Sequence, residues 1–174
     1  MNRIANRPMA MIALSVVLLD QATKLLVLHL LGPTQERVVI AGFFRIVQWV
    51  NTGAAWSLFR DQNDLLAIVS LLALLGLFLW RRHFYIHSAL GQISLGLIFG
   101  GILGNLLDRL MYRHVIDFLR FYLIRLSGEE LGFPAFNMAD SAICIGVGLL
   151  ILLSWKQEHE NANGQAATKS PSIL

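Results

Sequence analysis

The chain has 174 residues, of which 56% are hydrophobic and 14% charged, and its mean hydropathy is +0.60. These values exclude an ordinary soluble domain of this length and indicate a membrane protein that crosses the bilayer several times. The net charge of +3 comes from basic residues that are dispersed along the chain rather than gathered in one stripe, so we expect no nucleic acid as a partner.

Four apolar stretches follow one another along the chain, at about 9–31, 65–80, 88–107 and 139–155. Each can supply, alone or with flanking residues, the roughly 20 helical residues that a hydrocarbon core requires. The first differs from a cleavable signal peptide because Asp20 and Lys24 stand where a small-residue cleavage site would be. The fold class predicted is a membrane all-α bundle of four transmembrane helices, spanning 1–155. The polar segment 156–174 is predicted to be a disordered tail.

The connections add two smaller elements. Residues 36–59 are rich in β-branched and aromatic residues with a break at Gly42, which predicts a small β-rich element at the membrane surface. The stretch 118–126 is apolar and aromatic with spaced arginines, which suggests an interfacial helix, and 127–130 is predicted to be a turn. The positive-inside rule places both termini and the Arg81-Arg82-His83 turn in the cytoplasm. The longer connections then lie on the outer face.

Polar residues of different segments are predicted to share one layer of the bundle. Antiparallel topology brings the second half of span one, the end of span three and the start of span four to the same face, together with the longer connections. A water-accessible site near one interface would produce this asymmetry, because intramembrane ionisable residues are usually functional. The polar residues that meet there are Asp20, Lys24, Asn51, Asn105, Asp108, Asp117, Asn137 and Asp140.

Several of these residues also have purely structural interpretations. Asp20 and Lys24 have i, i+4 spacing and could neutralise each other, Asp108 and Arg109 could form an interfacial ion pair, and Asn51 could be only a turn residue. Cys144 is expected to be a small buried hydrophobe. Gly96, Gly100, Gly101 and Gly104 form a small-residue face, which by itself indicates only close helix packing. A metal site formed by His114 with Asp108 and Asp140 is a further alternative. That ligand spacing matches no common site, so we expect neither metal nor cofactor.

Asp117 and Asp140 are the strongest candidates for chemistry, since both stand in apolar settings and Asp140 has no cation three or four residues away. Two carboxylates within a few ångströms of each other in a low-dielectric site cannot both ionise, so they share one proton. The ionised member can take a proton from water while the protonated member polarises a scissile carbonyl, as in aspartic proteases. Two alternative functions stay open. One is a small proton-coupled carrier, which would require charges in both halves of the bundle, and the other is a non-enzymatic assembly or insertion factor.

Four short motifs resemble, in order along the chain, the signature blocks of bacterial lipoprotein signal peptidase (signal peptidase II). They are spread from residue 20 to residue 141, so the resemblance covers nearly the whole membrane domain, and four blocks in order are far more specific than any one of them. The blocks are Asp20-Gln-Ala-Thr-Lys24, Asn51-Thr-Gly-Ala-Ala55, Gly101-Ile-Leu-Gly-Asn105-Leu-Leu-Asp108-Arg109 with Val115-Ile-Asp117-Phe118, and Phe136-Asn137-Met-Ala-Asp140-Ser141.

The resemblance implies an intramembrane aspartyl endopeptidase of the bacterial cytoplasmic (inner) membrane that cleaves diacylglyceryl-modified prolipoproteins immediately before the lipid-bearing cysteine. It implies that Asp117 and Asp140 are the catalytic dyad, without a metal, and that the site faces the outer side among membrane lipids. It further implies a β-rich cradle and a loop helix on that face, and inhibition by cyclic peptides such as globomycin. The positions expected to contact substrate or hold the dyad are Asp20, Lys24, Asn51, Asn105, Asp108, Arg109 and Asn137. The stretch from Asp117 to Asn137 is on the long side for the family.

Overall fold

The computed structural model describes residues 7–33, 35–54, 58–83 and 88–168. Within these ranges, four helices are long and apolar enough to cross a membrane. They are α1 (Arg7–Leu30), α2 (Asn63–Trp80), α3 (Ala89–Tyr112) and α4 (Met138–Thr168). The four predicted spans are therefore confirmed as helices, although α3 and α4 both extend beyond the predicted ends.

The extension of α4 covers part of the predicted tail. Residues 156–168 continue the helix instead of forming the disordered segment expected there. Glu, Gln, Lys and Ala are good helix formers, and extending an existing helix by one residue costs far less than nucleating a new one. Residues 169–174 lie outside the described part of the chain, and the division of the chain at residue 155 stays a prediction.

Helix α3 occupies the centre of the bundle. Half of its apolar window is buried, against 22% or less for the windows of the other three helices. Glycines allow this close approach: a β-carbon on Gly100 would lie 2.6 Å from Cβ of Val16 in α1, and one on Gly101 would collide with the carbonyl oxygen of Ala139 in α4. The predicted small-residue face thus packs α3 against both neighbours.

A four-stranded antiparallel sheet adjoins the bundle. Its strands are β1 (Glu36–Ile40), β2 (Phe44–Asn51), β3 (Val115–Ile124) and β4 (Glu130–Gly132), in the spatial order β1-β2-β3-β4. The predicted β-rich element corresponds to β1 and β2, and Gly42 (φ +74°) supplies the left-handed residue of their turn. The sheet meets α1 where Phe118 packs with Val27 and Leu31.

The predicted interfacial helix at 118–126 is wrong, because residues 118–124 belong to strand β3. Phe121 lies opposite Phe44 and Leu119 lies opposite Ile46, so β3 pairs with β2 as an antiparallel strand. Spaced arginines on an apolar segment suit a helix and a strand equally well. The pairing with β2 decides between them, and that partner is distant in sequence.

Candidate active site

A cleft of about 1050 Å³ opens between the sheet, the loop after β2 and the ends of α3 and α4. Both candidate aspartates line it, and so do three of the polar residues expected to contact substrate or hold the dyad. Apolar side chains form much of its remaining wall. The polar residues that line the cleft include Asp117, Asp140, Asn51, Asn105 and Arg109. The apolar wall includes Trp49, Val50, Phe133, Phe136, Ile143 and Cys144. Cys144 is exposed rather than buried as the sequence predicted.

Asp117 is the third residue of β3 and is only 3% exposed. Its two carboxylate oxygens accept hydrogen bonds from two different asparagines: Oδ2 from Nδ2 of Asn51 (2.8 Å) and Oδ1 from Nδ2 of Asn137 (2.9 Å). The register of the sheet makes the first bond possible, because Asn51 at the end of β2 lies opposite Val115 on β3. Asp117 is therefore fixed at both oxygens.

Asp140 lies in the first turn of α4, where it takes part in a reciprocal cap. Oδ1 of Asn137 accepts from the backbone N–H of Asp140 (2.9 Å), and Oδ2 of Asp140 accepts from the backbone N–H of Asn137 (3.1 Å). This is the capping-box arrangement, with asparagine as the cap and aspartate three residues later. The other oxygen, Oδ1, accepts from Nδ2 of Asn105 (2.8 Å).

One amide network joins the two aspartates. Nδ2 of Asn137 donates both to Asp117 and to Oδ1 of Asn105 (3.0 Å), and Asn105 in turn donates to Asp140. Burial, and after it the negative charge of Asp140, raise the pKa of Asp117 from 3.8 to about 7, although the hydrogen bond from Asn51 opposes part of the shift. The two carboxyl groups are thus close enough to influence each other's ionisation.

A buried ion cluster lies beneath this network. Nζ of Lys24 is 2.8 Å from Oδ2 of Asp20 and 2.8 Å from Oδ2 of Asp108, and all three side chains are at most 1% exposed. The predicted pairing of Asp20 with Lys24 is confirmed. The alternative pairing of Asp108 with Arg109 is not found among the described ion pairs, because neighbouring helix residues point in different directions.

Arg109 and Asn51 both hold the loop that follows β2. Nη2 of Arg109 donates to the carbonyl oxygen of Gly53 (2.7 Å), and Oδ1 of Asn51 accepts from the backbone N–H of Gly53 (2.9 Å). Asn51 is therefore the turn residue that its sequence context suggested and, through its nitrogen, a ligand of Asp117. Ala55, the last residue of that motif, lies outside the described residues.

The metal alternative finds no cluster of ligands in the described residues: no group of three or more His, Cys, Asp or Glu side chains there could hold a metal ion. The ring of His114 lies beside that of Tyr112, with 6.2 Å between their centroids.

Comparison with known proteins places the chain in a family. The family model described as signal peptidase (SPase) II matches residues 12–156. The chain belongs to the signal peptidase II family. Among its relatives, the lipoprotein signal peptidase of Aeromonas hydrophila is 39% identical over 152 residues, which are 84% of this chain and 87% of the relative. That of Desulforapulum autotrophicum is 38% identical over 157 residues, 87% and 93% of the two chains. By family, the protein is a protease.

Two solved structures share this architecture, both described as bacterial membrane enzymes. One has a TM-score of 0.73 at 29% identity and covers 95% of this chain and 94% of its own. The other has a TM-score of 0.67 at 32% identity, with 83% and 90% covered. Together with the four apolar helices, the family makes this chain a multi-pass bacterial membrane protein.

Some residues that support the site are not predicted from the sequence. Gln21 follows Asp20 directly in the first motif, and its Nε2 donates to Oδ1 of Asp108 (2.8 Å). Glu130 of β4 accepts from Arg45 and also pairs with Arg120 (2.8 Å), whose guanidinium stacks 4.3 Å from the ring centre of Trp49 in the cleft wall. No local pattern indicates this second cluster, because its members come together only when the strands pair.

Proposed function

We propose that this protein is an aspartyl endopeptidase that removes signal peptides from diacylglyceryl-modified prolipoproteins, cleaving immediately before the lipid-bearing cysteine. The observation that carries the proposal is the shared amide network: Asn137 donates to Asp117 and caps the helix turn that holds Asp140, so both carboxyl groups face one cleft. Membership of the signal peptidase II family and the names of the relatives, lipoprotein signal peptidases, support the substrate class.

The proposed chemistry uses one proton shared between two carboxyl groups. The ionised carboxylate takes a proton from a water molecule as the water oxygen attacks the scissile carbonyl carbon, while the protonated carboxyl donates to the carbonyl oxygen. Collapse of the tetrahedral intermediate breaks the C–N bond, and the leaving nitrogen receives a proton from the dyad. The raised pKa of Asp117 supports this scheme, because it lets the pair keep one proton near neutral pH.

The cleft suits a lipidated peptide. Apolar side chains such as Trp49, Phe136 and Ile143 offer contact area for the hydrophobic residues of the signal peptide and for the acyl chains, which reach the site by lateral diffusion among membrane lipids. Arg109 fixes the loop at Gly53, which lines the same cleft and orients the bound backbone. Cyclic peptide inhibitors such as globomycin would compete for this space.

We further propose that both termini lie in the cytoplasm and that the cleft faces the outer side of the bacterial inner membrane. The basic Arg81-Arg82-His83 turn lies at the opposite end of α2 from the site loop, as the positive-inside rule requires. Lipid-modified precursors would present their cleavage sites to the cleft on that outer side.

The test is to incubate the purified protein in lipid with a diacylglyceryl-modified precursor peptide and with the same peptide lacking the lipid. The proposal expects a product whose new N-terminus is the lipidated cysteine, and little product from the unmodified peptide. A proton-coupled carrier or an assembly factor would release no product with a new N-terminus. The absence of such a product would overturn the proposal.

A further inference from the structure

Trp49 stands in the cleft wall directly beside one of the proposed catalytic aspartates. It pairs with Asp117 across strands β2 and β3, and directly opposite residues of an antiparallel pair point to the same face of a sheet. Both residues line the cleft, and Trp49 is 40% exposed. Between Ile46 and Trp49, β2 has one residue more than β3 has opposite it, and such a bulge re-aims the side chains next to it. The part of a bound precursor that meets Trp49 is therefore the part around the scissile bond.

The guanidinium group of Arg120 lies over the indole ring of Trp49, with Cζ 4.3 Å from the ring centre. Nη2 of the same group lies 2.8 Å from Oε1 of Glu130. Arginine can make both contacts at once, because its flat face stacks on aromatic rings while the N–H groups at its edge donate to carboxylates. Nε of Arg120 is buried and has no hydrogen-bond partner among the described residues, which costs free energy. The ring contact and the ion pair therefore determine where this group lies.

Glu130 of β4 keeps Arg120 in this place. Arg120 lies directly opposite Arg45 on β2, and like charges at opposite positions of neighbouring strands repel each other. The carboxylate of Glu130 accepts from Arg45 and pairs with Arg120, so it offsets this repulsion. Gly132 lets β4 approach closely, since a β-carbon there would lie 2.9 Å from Nη2 of Arg120. The last strand of the sheet is thus connected to the cleft wall through one carboxylate and one guanidinium group.

We infer that Arg120 is a positioning residue that holds the Trp49 ring against the bound precursor, and that Glu130 holds Arg120. This inference rests on the proposed function. Arg120 is not among the residues that line the cleft, so it acts through Trp49 and not by touching the substrate. The carboxylate of Asp117 has separate support, because its two oxygens accept from two asparagine side chains. Loss of the guanidinium group should therefore weaken substrate binding and leave the chemical step largely intact.

Steady-state cleavage of the lipidated peptide by Arg120→Met tests the inference. Glu130 keeps Arg45 as a partner in this variant, so no carboxylate is left unpaired. A cation–π contact can change affinity by about fivefold, so KM should rise by about that factor while kcat stays within about twofold of wild type. A short lipidated peptide with only a few residues on each side of the cysteine should show the same rise, because Trp49 lies beside the scissile bond. A loss confined to kcat, or a rise in KM seen only with the full-length precursor, overturns the inference.

A double variant shows whether Arg120 acts through Trp49. Trp49→Ala removes the contact with the substrate and should raise KM by roughly 10-fold. Adding Arg120→Met to Trp49→Ala should change KM by less than about twofold, since the residue that transmits the effect is then absent. Both side chains are partly exposed, so we expect all three variants to keep melting temperatures close to wild type. If the two effects on KM multiply, Arg120 acts independently of Trp49 and the inference is wrong.

Arg125→Met provides the matched control. Arg125 also follows the apolar part of β3 and pairs with a glutamate, Glu129 (3.7 Å), but it is exposed and does not line the cleft. This variant should keep the wild-type KM and kcat, and a KM as high as that of Arg120→Met would overturn the inference. If the wild-type protein cleaves the peptide and the aspartate variants do not, a normal KM in Arg120→Met defeats only this inference. If the wild type gives no cleavage, the proposed function fails and the inference fails with it.

Discussion

Asn137 offers a sharp test of the amide network, because one side chain has two separable tasks. Its oxygen caps α4 by accepting from the backbone N–H of Asp140, and its nitrogen donates to Oδ1 of Asp117. Asn137→Ala removes both contacts. Asn137→Ser keeps a good N-cap residue, but the shorter side chain cannot also reach Asp117.

The structure sets the size of each effect. Loss of an N-cap costs about 1 kcal/mol, and loss of a hydrogen bond to a charged group costs roughly 1.5–3 kcal/mol. Asn137 is completely buried, so water cannot readily replace the lost donor. Asn137→Ala should therefore lose roughly 3 kcal/mol in the free energy of unfolding, and Asn137→Ser should recover about 1 kcal/mol of it. Both variants should lose about 10- to 100-fold in kcat, because a factor of ten corresponds to about 1.4 kcal/mol.

Unfolding in detergent micelles and turnover of the lipidated peptide measure the two effects on the same samples. The expected pattern is that serine restores part of the stability and little of the activity. If Asn137→Ser retains more than half of wild-type turnover, or is no more stable than Asn137→Ala, the two tasks assigned to Asn137 are wrong.

Three further predictions concern protonation, substrate positioning and metals. The folded-state pKa of Asp117 lies above its ordinary value, so the contribution of this carboxyl group to the free energy of unfolding is complete below about pH 4 and is lost as the pH rises toward 7. The free energy lost over this range is at most about 4 kcal/mol. Asp117→Asn should therefore flatten the decline of the melting temperature between these pH values. Arg109→Ala frees the carbonyl of Gly53 and should raise KM more than it lowers kcat; a purely kcat effect in steady-state assays would contradict this. Chelators should leave turnover unchanged, whereas a loss that zinc restores would revive the metal site at His114.

The bundle and the polar layer could be predicted because their signals are local or follow from topology. The length of the apolar stretches predicts the four helices. Because successive helices run antiparallel, Asp20, Asn105 and Asp140 lie toward one face whatever the orientation of the protein in the membrane. Strand β3 could not be recognised in this way. Its sequence from Phe118 to Ile124 suits a helix or a strand, and the partner that selects the strand, β2, lies about 70 residues earlier in the chain.

The sequence predicts which polar residues lie together near the cleft more fully than it predicts their contacts. The i, i+4 spacing gave the pair of Asp20 and Lys24, but the second partner of Lys24, Asp108, lies on another helix. Similarly, Asn137 was expected near the dyad, whereas its bonds to both Asp117 and Asn105 depend on how α4 begins against β3 and α3. Packing between elements, which a single sequence does not record, determines these contacts.

Asp117 and Asp140 are proposed to carry out peptide cleavage together. Turnover of a diacylglyceryl-modified precursor by the wild type, by Asp117→Asn and by Asp140→Asn tests this proposal most directly, because asparagine keeps the size of each side chain and removes its ability to exchange a proton. The wild type should release a product that begins at the lipidated cysteine, and each variant should fold, insert and remain at background. Near-wild-type turnover in either variant would show that cleavage does not need both aspartates.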